Sequence, residues 1–208
     1  MITLTKEERD SLSPQKAIQI LKDGNKRFIQ NLKMNRNLLE QVNNTSNRQH
    51  PFAIILSCID SRTSAELIFD QGLGDIFSCR IAGNILNDDI VGSMEFACKV
   101  AGVKLIMVLG HTGCGAIQGA CDQVKMGKLS GLLNKINPAI EQERDTIYDR
   151  SSKNTQFVNN VAVINVKLIT DQIIKQSQIL LDMVNNKEIA IVGGMYNIAT
   201  GVVDFEKR

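Results

Sequence analysis

Two short stretches carry the side chains that could do chemistry: Ser57-Cys58-Ile59-Asp60-Ser61-Arg62 and Gly110-His111-Thr112-Gly113-Cys114-Gly115. Thiolate and imidazole are the ligands zinc favours in a tetrahedral site. His111-x-x-Cys114 offers one of each within a turn of chain, on a loop stiffened by Gly113 and Gly115. Cys58 comes from elsewhere, so such a site closes only on folding. Three protein ligands leave a fourth position for water, which marks a catalytic zinc; Asp60 in that position would instead give a closed site. The sequence permits both. Asp60 and Arg62 read better as a pair that orients a zinc-bound group than as a surface ion pair, which would contribute little. Ser57, Ser61 and Ser64 lack a base, because His50 is the only other histidine. Cys79, Cys98 and Cys121 fall in strand or helix patterns as small apolar residues.

Each chemical stretch follows an apolar run of strand length. Pro51 to Ser57 precedes the first and Lys104 to Leu109 the second. Runs without polar alternation are expected for strands covered on both faces, as in a parallel sheet, and ligands bind at the C-terminal ends of such strands. Asp75 to Ile81 reads as a further strand, followed by a turn at Ala82-Gly83-Asn84, and Glu188 to Val192 as another, broken by Gly193-Gly194. The tail from Met195 to Phe205 contains an edge strand. Ser13-Pro14 opens a helix that Gly24-Asn25 interrupts and Arg27-Phe28 resumes; Asn31 to Arg48 reads as an irregular arm. Helices are expected over Ala65 to Asp70, Asp88 to Ala101, Gly115 to Met126 and Val161 to Val184. Between Gly127 and that last helix, Leu132, Leu133, Ile136 and Ile140 form a helical stripe with a bend at Pro138. The expectation is α/β: a mainly parallel central sheet of about four strands plus an edge strand, flanked by helices, with an N-terminal helical arm. A single domain over residues 1–208 is expected, with 1–48 as a helix and arm placed to pack on a partner subunit or, equally by the pattern, on its own domain.

Composition narrows the class. The chain has 43% hydrophobic and 22% charged residues and a net charge of +2, with both signs interspersed. No basic stripe points to nucleic acid, and no apolar run reaches membrane-spanning length. The polar stretch from Met1 to Asp10 lacks an apolar signal region, so the expected location is cytoplasmic. Five cysteines do not read as a disulfide framework; reduced thiols, some of them metal ligands, fit better.

Cys58-x-Asp60-x-Arg62 followed by His111-x-x-Cys114-Gly115 resembles the β-class carbonic anhydrases. So do Ser13-Pro14 with Gly24-Asn25-x-Arg27-Phe28, the turn Arg80-x-Ala82-Gly83-Asn84, and Gly92-Ser93-x-Glu95-Phe96-Ala97. The resemblance implies one Zn²⁺ per chain on Cys58, His111 and Cys114, with Asp60 a fourth ligand only in a closed form. It implies that Asp60 and Arg62 form the dyad that aims the zinc-bound hydroxide. Gln49 matches a substrate-binding glutamine of the plant-type branch, and Phe77 and Phe96 match its aromatic pocket wall, contributed in the family by the neighbouring subunit. Ala82 stands where that branch often carries valine, and Gly115 offers a backbone N–H to the product. Arg80 and Tyr196 match two residues of a bicarbonate-regulatory pocket, while Ile55 replaces its tryptophan.

The implied activity is reversible hydration of carbon dioxide to bicarbonate and a proton, in a homodimer or a higher homo-oligomer such as a tetramer. Two thiolates donate more negative charge than three histidines would, so activity is expected to rise on the alkaline side. His50 is the one candidate proton shuttle. Two other readings share the motifs: a carbonyl sulfide or carbon disulfide hydrolase on the same site, and a non-catalytic, zinc-stabilised bicarbonate-binding protein.

Overall fold

The computed structural model describes residues 4–206, so Met1 to Thr3 of the polar N-terminal stretch lie outside the described residues. Five strands form one sheet: β1 (Ala53–Ser57), β2 (Ile76–Arg80), β3 (Leu105–His111), β4 (Ala190–Tyr196) and β5 (Val203–Phe205). Their order is β2-β1-β3-β4-β5, with β1 to β4 parallel and β5 antiparallel on the edge. The chain leaves β1 toward β2 and later leaves β3 toward β4. The C-terminal ends of β1 and β3 therefore flank a topological switch point, where open α/β sheets bind ligands. Cys58 follows β1 directly and His111 is the last residue of β3.

Before β1 lie α1 (Lys6–Ser11), α2 (Pro14–Ile29) and α3 (Leu38–Thr45); α4 (Ala65–Ile68) follows β1 and α5 (Asp88–Glu95) follows β2. After β3 come α6 (Gly115–Cys121), α7 (Gly127–Asn134), α8 (Asn137–Gln142), α9 (Thr155–Gln176) and α10 (Gln178–Asn185). One sheet face presents Ile54, Leu56, Ile106 and Val108 to α5, α9 and α10. The other presents Ala53, Ile55, Leu105 and Met107 to α2 and α4. Coverage on both faces explains why β1 and β3 are buried along their whole length. A third core cluster, at the switch-point end, packs Cys58 and Cys114 with Ile117, Leu133, Ile136 and Phe157. Among the described residues no helix is long and apolar enough to cross a membrane.

Several local expectations are corrected. Helix α2 runs unbroken through Gly24-Asn25. A Cβ on Gly24 would sit 1.8 Å from the Phe69 carbonyl oxygen, so glycine serves a close helix crossing. Asn25 is a buried tether: it donates to the carbonyls of Ile68 (3.2 Å) and Gly201 (2.9 Å) and accepts from the Val203 N–H. The arm contains α3, whose cap Asn37 accepts from the Glu40 N–H at 3.1 Å. Strand β4 continues through Gly193-Gly194. Side chains there would come within 2.7 Å of Val166 and Met107, so the glycines admit a neighbouring helix and strand rather than end the ladder. The helix expected over 161–184 is two, divided at Ser177, whose hydroxyl accepts from the Leu180 N–H and donates to Glu95. The segment after β2 is α-helical to Glu95 and then widens into a π turn over Phe96–Val100. The helix after His111 and Cys114 ends at Cys121, short of Met126.

Candidate metal centre

Cys58, His111 and Cys114 meet at the switch point. Their ligand atoms lie within 4.8 Å of one another and all three residues are buried. The two sulfurs are 3.8 Å apart. Two thiolates on one tetrahedral zinc, each about 2.3 Å from it, stand roughly 3.8 Å apart. The imidazole is oriented to match. His111 Nδ1 lies 3.0 Å from the Thr112 carbonyl, which only accepts, so the ring proton sits on Nδ1. Nε2 is left as a bare lone pair, buried and without a hydrogen-bond partner. An orphaned buried acceptor facing two thiols is what a metal ion would satisfy, and the donor set is one zinc favours.

Electrostatics agree. The Cys58 thiol is pulled far below its usual range, first by its hydrogen bond with Cys114 and further by the backbone of Asp60 and Gly83, against the opposing effect of burial. Cys114, its partner in that contact, is pushed up by Cys58 and by burial. A divalent cation would take the place of the proton the two sulfurs share. The other three thiols behave as inert residues: burial raises Cys79, pushes Cys98 up to about 12 and Cys121 up to about 11.

Asp60 is turned to Arg62 and does not belong to the ligand cluster. Arg62 donates to it from Nε (2.9 Å), Nη2 (2.8 Å) and its backbone N–H (3.0 Å). That pairing, above all the Arg62 side-chain hydrogen bonds, holds the Asp60 carboxyl well below the usual carboxylate range. The loop they share is fixed from beneath. Thr63, only 1% exposed, has its hydroxyl 3.0 Å from the Cys58 carbonyl and 2.9 Å from that of Asp60. Arg80 donates to the same two carbonyls, at 3.1 and 2.6 Å. Beyond any regulatory part, Arg80 is thus a prop for the loop. Tyr196 ends β4 opposite His111 in register, and its carbonyl accepts from the Thr112 N–H.

The remaining predicted residues divide. Ala82 and Gly115 lie beside the centre: Ala82 precedes Gly83, whose N–H donates to Cys58 Sγ at 3.4 Å, and Gly115 starts α6 next to Cys114. Phe77 and Phe96 pair with ring centroids 6.4 Å apart, in a groove with Ile54 and Cys79 that none of the three cluster residues lines. Gln49 is exposed, and Ile55 lies in the core on the α2 face. Sequence reasoning missed Thr63, Asn159 and Asn165. Asn159 accepts from the Gly113 N–H at 3.1 Å, and Asn165 donates to the Gly83 carbonyl at 3.0 Å. A visible signal existed for the last: a single amide within the apolar run Val161, Ala162, Val166 and Ile169.

The carbonic anhydrase family model matches residues 53–203, which span the switch point and all four parallel strands and end at the first residue of β5. The chain belongs to the β-class carbonic anhydrases. Members of this family hydrate carbon dioxide and depend on zinc. A carbonic anhydrase of Mycolicibacterium smegmatis is 32% identical over 203 residues, covering 94% of this chain and 95% of that protein. Carbonic anhydrase 2 of Mycobacterium tuberculosis is 32% identical over 195 residues, 91% of each chain. Among solved structures, the β-carbonic anhydrase CafA of Aspergillus fumigatus superposes with a TM-score of 0.73 over 93% of this chain and 90% of its own, at 23% identity. A tetrameric β-carbonic anhydrase of Sordaria macrospora superposes with a TM-score of 0.70 over 78% of this chain and 84% of its own, at 22% identity. These two structures speak for the β-carbonic anhydrase fold.

Proposed function

We propose that this β-carbonic anhydrase hydrates carbon dioxide reversibly to bicarbonate and a proton, with one zinc ion held by Cys58, His111 and Cys114. The observation that carries the reading is the spacing of the two sulfurs together with the bare Nε2 of His111. Zinc bound there supplies a Lewis acid that makes water a competent nucleophile near neutral pH. The protein's own groups then do the positioning. Asp60, ionised because Arg62 donates to both of its oxygens, accepts the hydrogen of the attacking water and so directs a lone pair at the carbon. Arg62 keeps that carboxylate from swinging toward the metal, and Thr63 with Arg80 holds the loop that carries Cys58 and Asp60. The N–H of Gly115 is available to an oxygen of the product.

Assembly belongs to the same proposal. Phe77 and Phe96 line a groove apart from their own chain's ligand cluster, and Phe96 is 55% exposed. We therefore assign these aromatics and Gln49 to the site of a neighbouring copy, which makes a homodimer the smallest active unit. The test compares substrates on one zinc-loaded preparation: carbon dioxide hydration by stopped flow against sulfide release from carbonyl sulfide and carbon disulfide. Hydration well in excess of sulfide release is expected. Sulfide release without hydration would replace this reading with a hydrolase of the sulfur analogues, and neither activity would leave a bicarbonate-binding protein.

A further inference from the structure

The Gly83 residue that meets Cys58 is itself held from across the molecule. Its N–H donates to Cys58 Sγ, and its carbonyl accepts from Asn165 Nδ2 at 3.0 Å. Gly83 adopts φ +67°, in the left-handed region that favours glycine, and a Cβ there would press on Ile136 at 3.0 Å. The two hydrogen bonds fix the peptides on either side of its Cα. On the same helix, Asn159 accepts from the Gly113 N–H, inside the loop between His111 and Cys114. Helix α9 thus reaches the His111–Cys114 loop directly, through Asn159, and the Cys58 thiol through Gly83.

Packing alone does not account for Asn165. It is 2% exposed, beside Val161, Ala162 and Val166 in the core face of α9. Leucine is the better helix former, and a buried amide is costly unless hydrogen-bonded. We infer that Asn165 is a positioning residue for the metal centre: its hydrogen bond to the Gly83 carbonyl anchors Gly83 on one side of its Cα and so holds, on the other side, the N–H that donates to Cys58 Sγ. It thereby fixes the direction and donor strength of that thiolate toward a metal ion. The inference rests on the reading of Cys58, His111 and Cys114 as a metal site.

The test uses full-length protein with two readouts: zinc affinity by competition with a chelator, and the thiolate-to-cobalt charge-transfer band of the Co²⁺-substituted protein. Asn165→Leu, with the same branching and number of side-chain heavy atoms but without the amide, is expected to bind zinc about 10- to 100-fold more weakly, as for other groups that orient ligands, and to shift the cobalt band. Ile173→Ala, at a fully buried position further along α9, is expected to lower thermal stability while leaving both readouts at wild-type values. Wild-type affinity and spectrum in Asn165→Leu would overturn the inference. Equal shifts in Asn165→Leu and Ile173→Ala would also overturn it, by showing only a loosened core. A wild-type protein that takes up neither zinc nor cobalt would instead sink the metal site itself. If Asn165→Leu does not fold, Asn165→Ser, too short to reach Gly83, gives the same two readings.

Discussion

Asp60→Asn is expected to reduce carbon dioxide hydration by about 10²- to 10⁴-fold, the range for losing a positioned proton acceptor, with zinc still bound at one ion per chain. The substitution is nearly isosteric, so Cys58 and the loop on Thr63 and Arg80 stay in place. What changes is charge and hydrogen bonding. Arg62 offers three donors to the carboxylate, from Nε, Nη2 and its own N–H. An asparagine amide has one acceptor oxygen to meet them, and its NH₂ would face a guanidinium or the attacking water with the wrong polarity. Zinc analysis and stopped-flow turnover on the same sample check this. Wild-type turnover in Asp60→Asn would show that the pair is an ornament of the loop rather than part of the reaction.

Asp70→Ala is expected to destabilise the fold by about 3–5 kcal/mol, the cost of leaving a buried charge without its partner. That is a fall in Tm of roughly 6–20 °C at this size. Asp70 is 3% exposed, and its carboxylate accepts from Arg27, Arg36 and the Met34 N–H. The Arg36 side chain is 8% exposed, so it cannot recover its hydration by a small movement. Burial alone would raise the Asp70 pKa, but the hydrogen bonds from Arg27 and Arg36 outweigh it and the net shift is downward. A folded-state pKa below the unfolded value of about 3.9 means the stabilisation is fully present above pH 4. It is lost as pH falls through the folded value. Denaturant unfolding at pH 7 and pH 3 should therefore show wild type and Asp70→Ala far apart at the first and closer at the second. A constant gap between them would rule out the charge as the cause. The Asp60–Arg62 pair is the contrast: Arg62 is 54% exposed there, and such pairs contribute little to folding.

The strands that hold the site were legible because burial on both faces leaves continuous apolar runs, and the metal ligands because thiol and imidazole recur at strand ends with glycines beside them. Less legible was anything decided by an approach between distant parts of the chain. Gly193-Gly194 resembles a strand break by local propensity, yet Val166 and Met107 need that space and the strand runs on. Gly24 likewise reads as an interruption until the Phe69 carbonyl is seen against it. Asn37 followed by Glu40 was a usable cap signal for α3 within an otherwise featureless stretch. Thr63 and Asn165 lay beyond local reasoning for another reason. Their partners are backbone carbonyls, and no pattern of residue types says which carbonyl a hydroxyl or amide will meet.

The most direct measurement of the central claim is stopped-flow carbon dioxide hydration on zinc-loaded protein, on the same protein stripped by chelator, and on the stripped protein after zinc is restored. The account predicts turnover with one zinc per chain, loss of turnover on stripping, and its return on reconstitution. Turnover that survives complete removal of the metal, or none from a folded protein holding one zinc per chain, would contradict it.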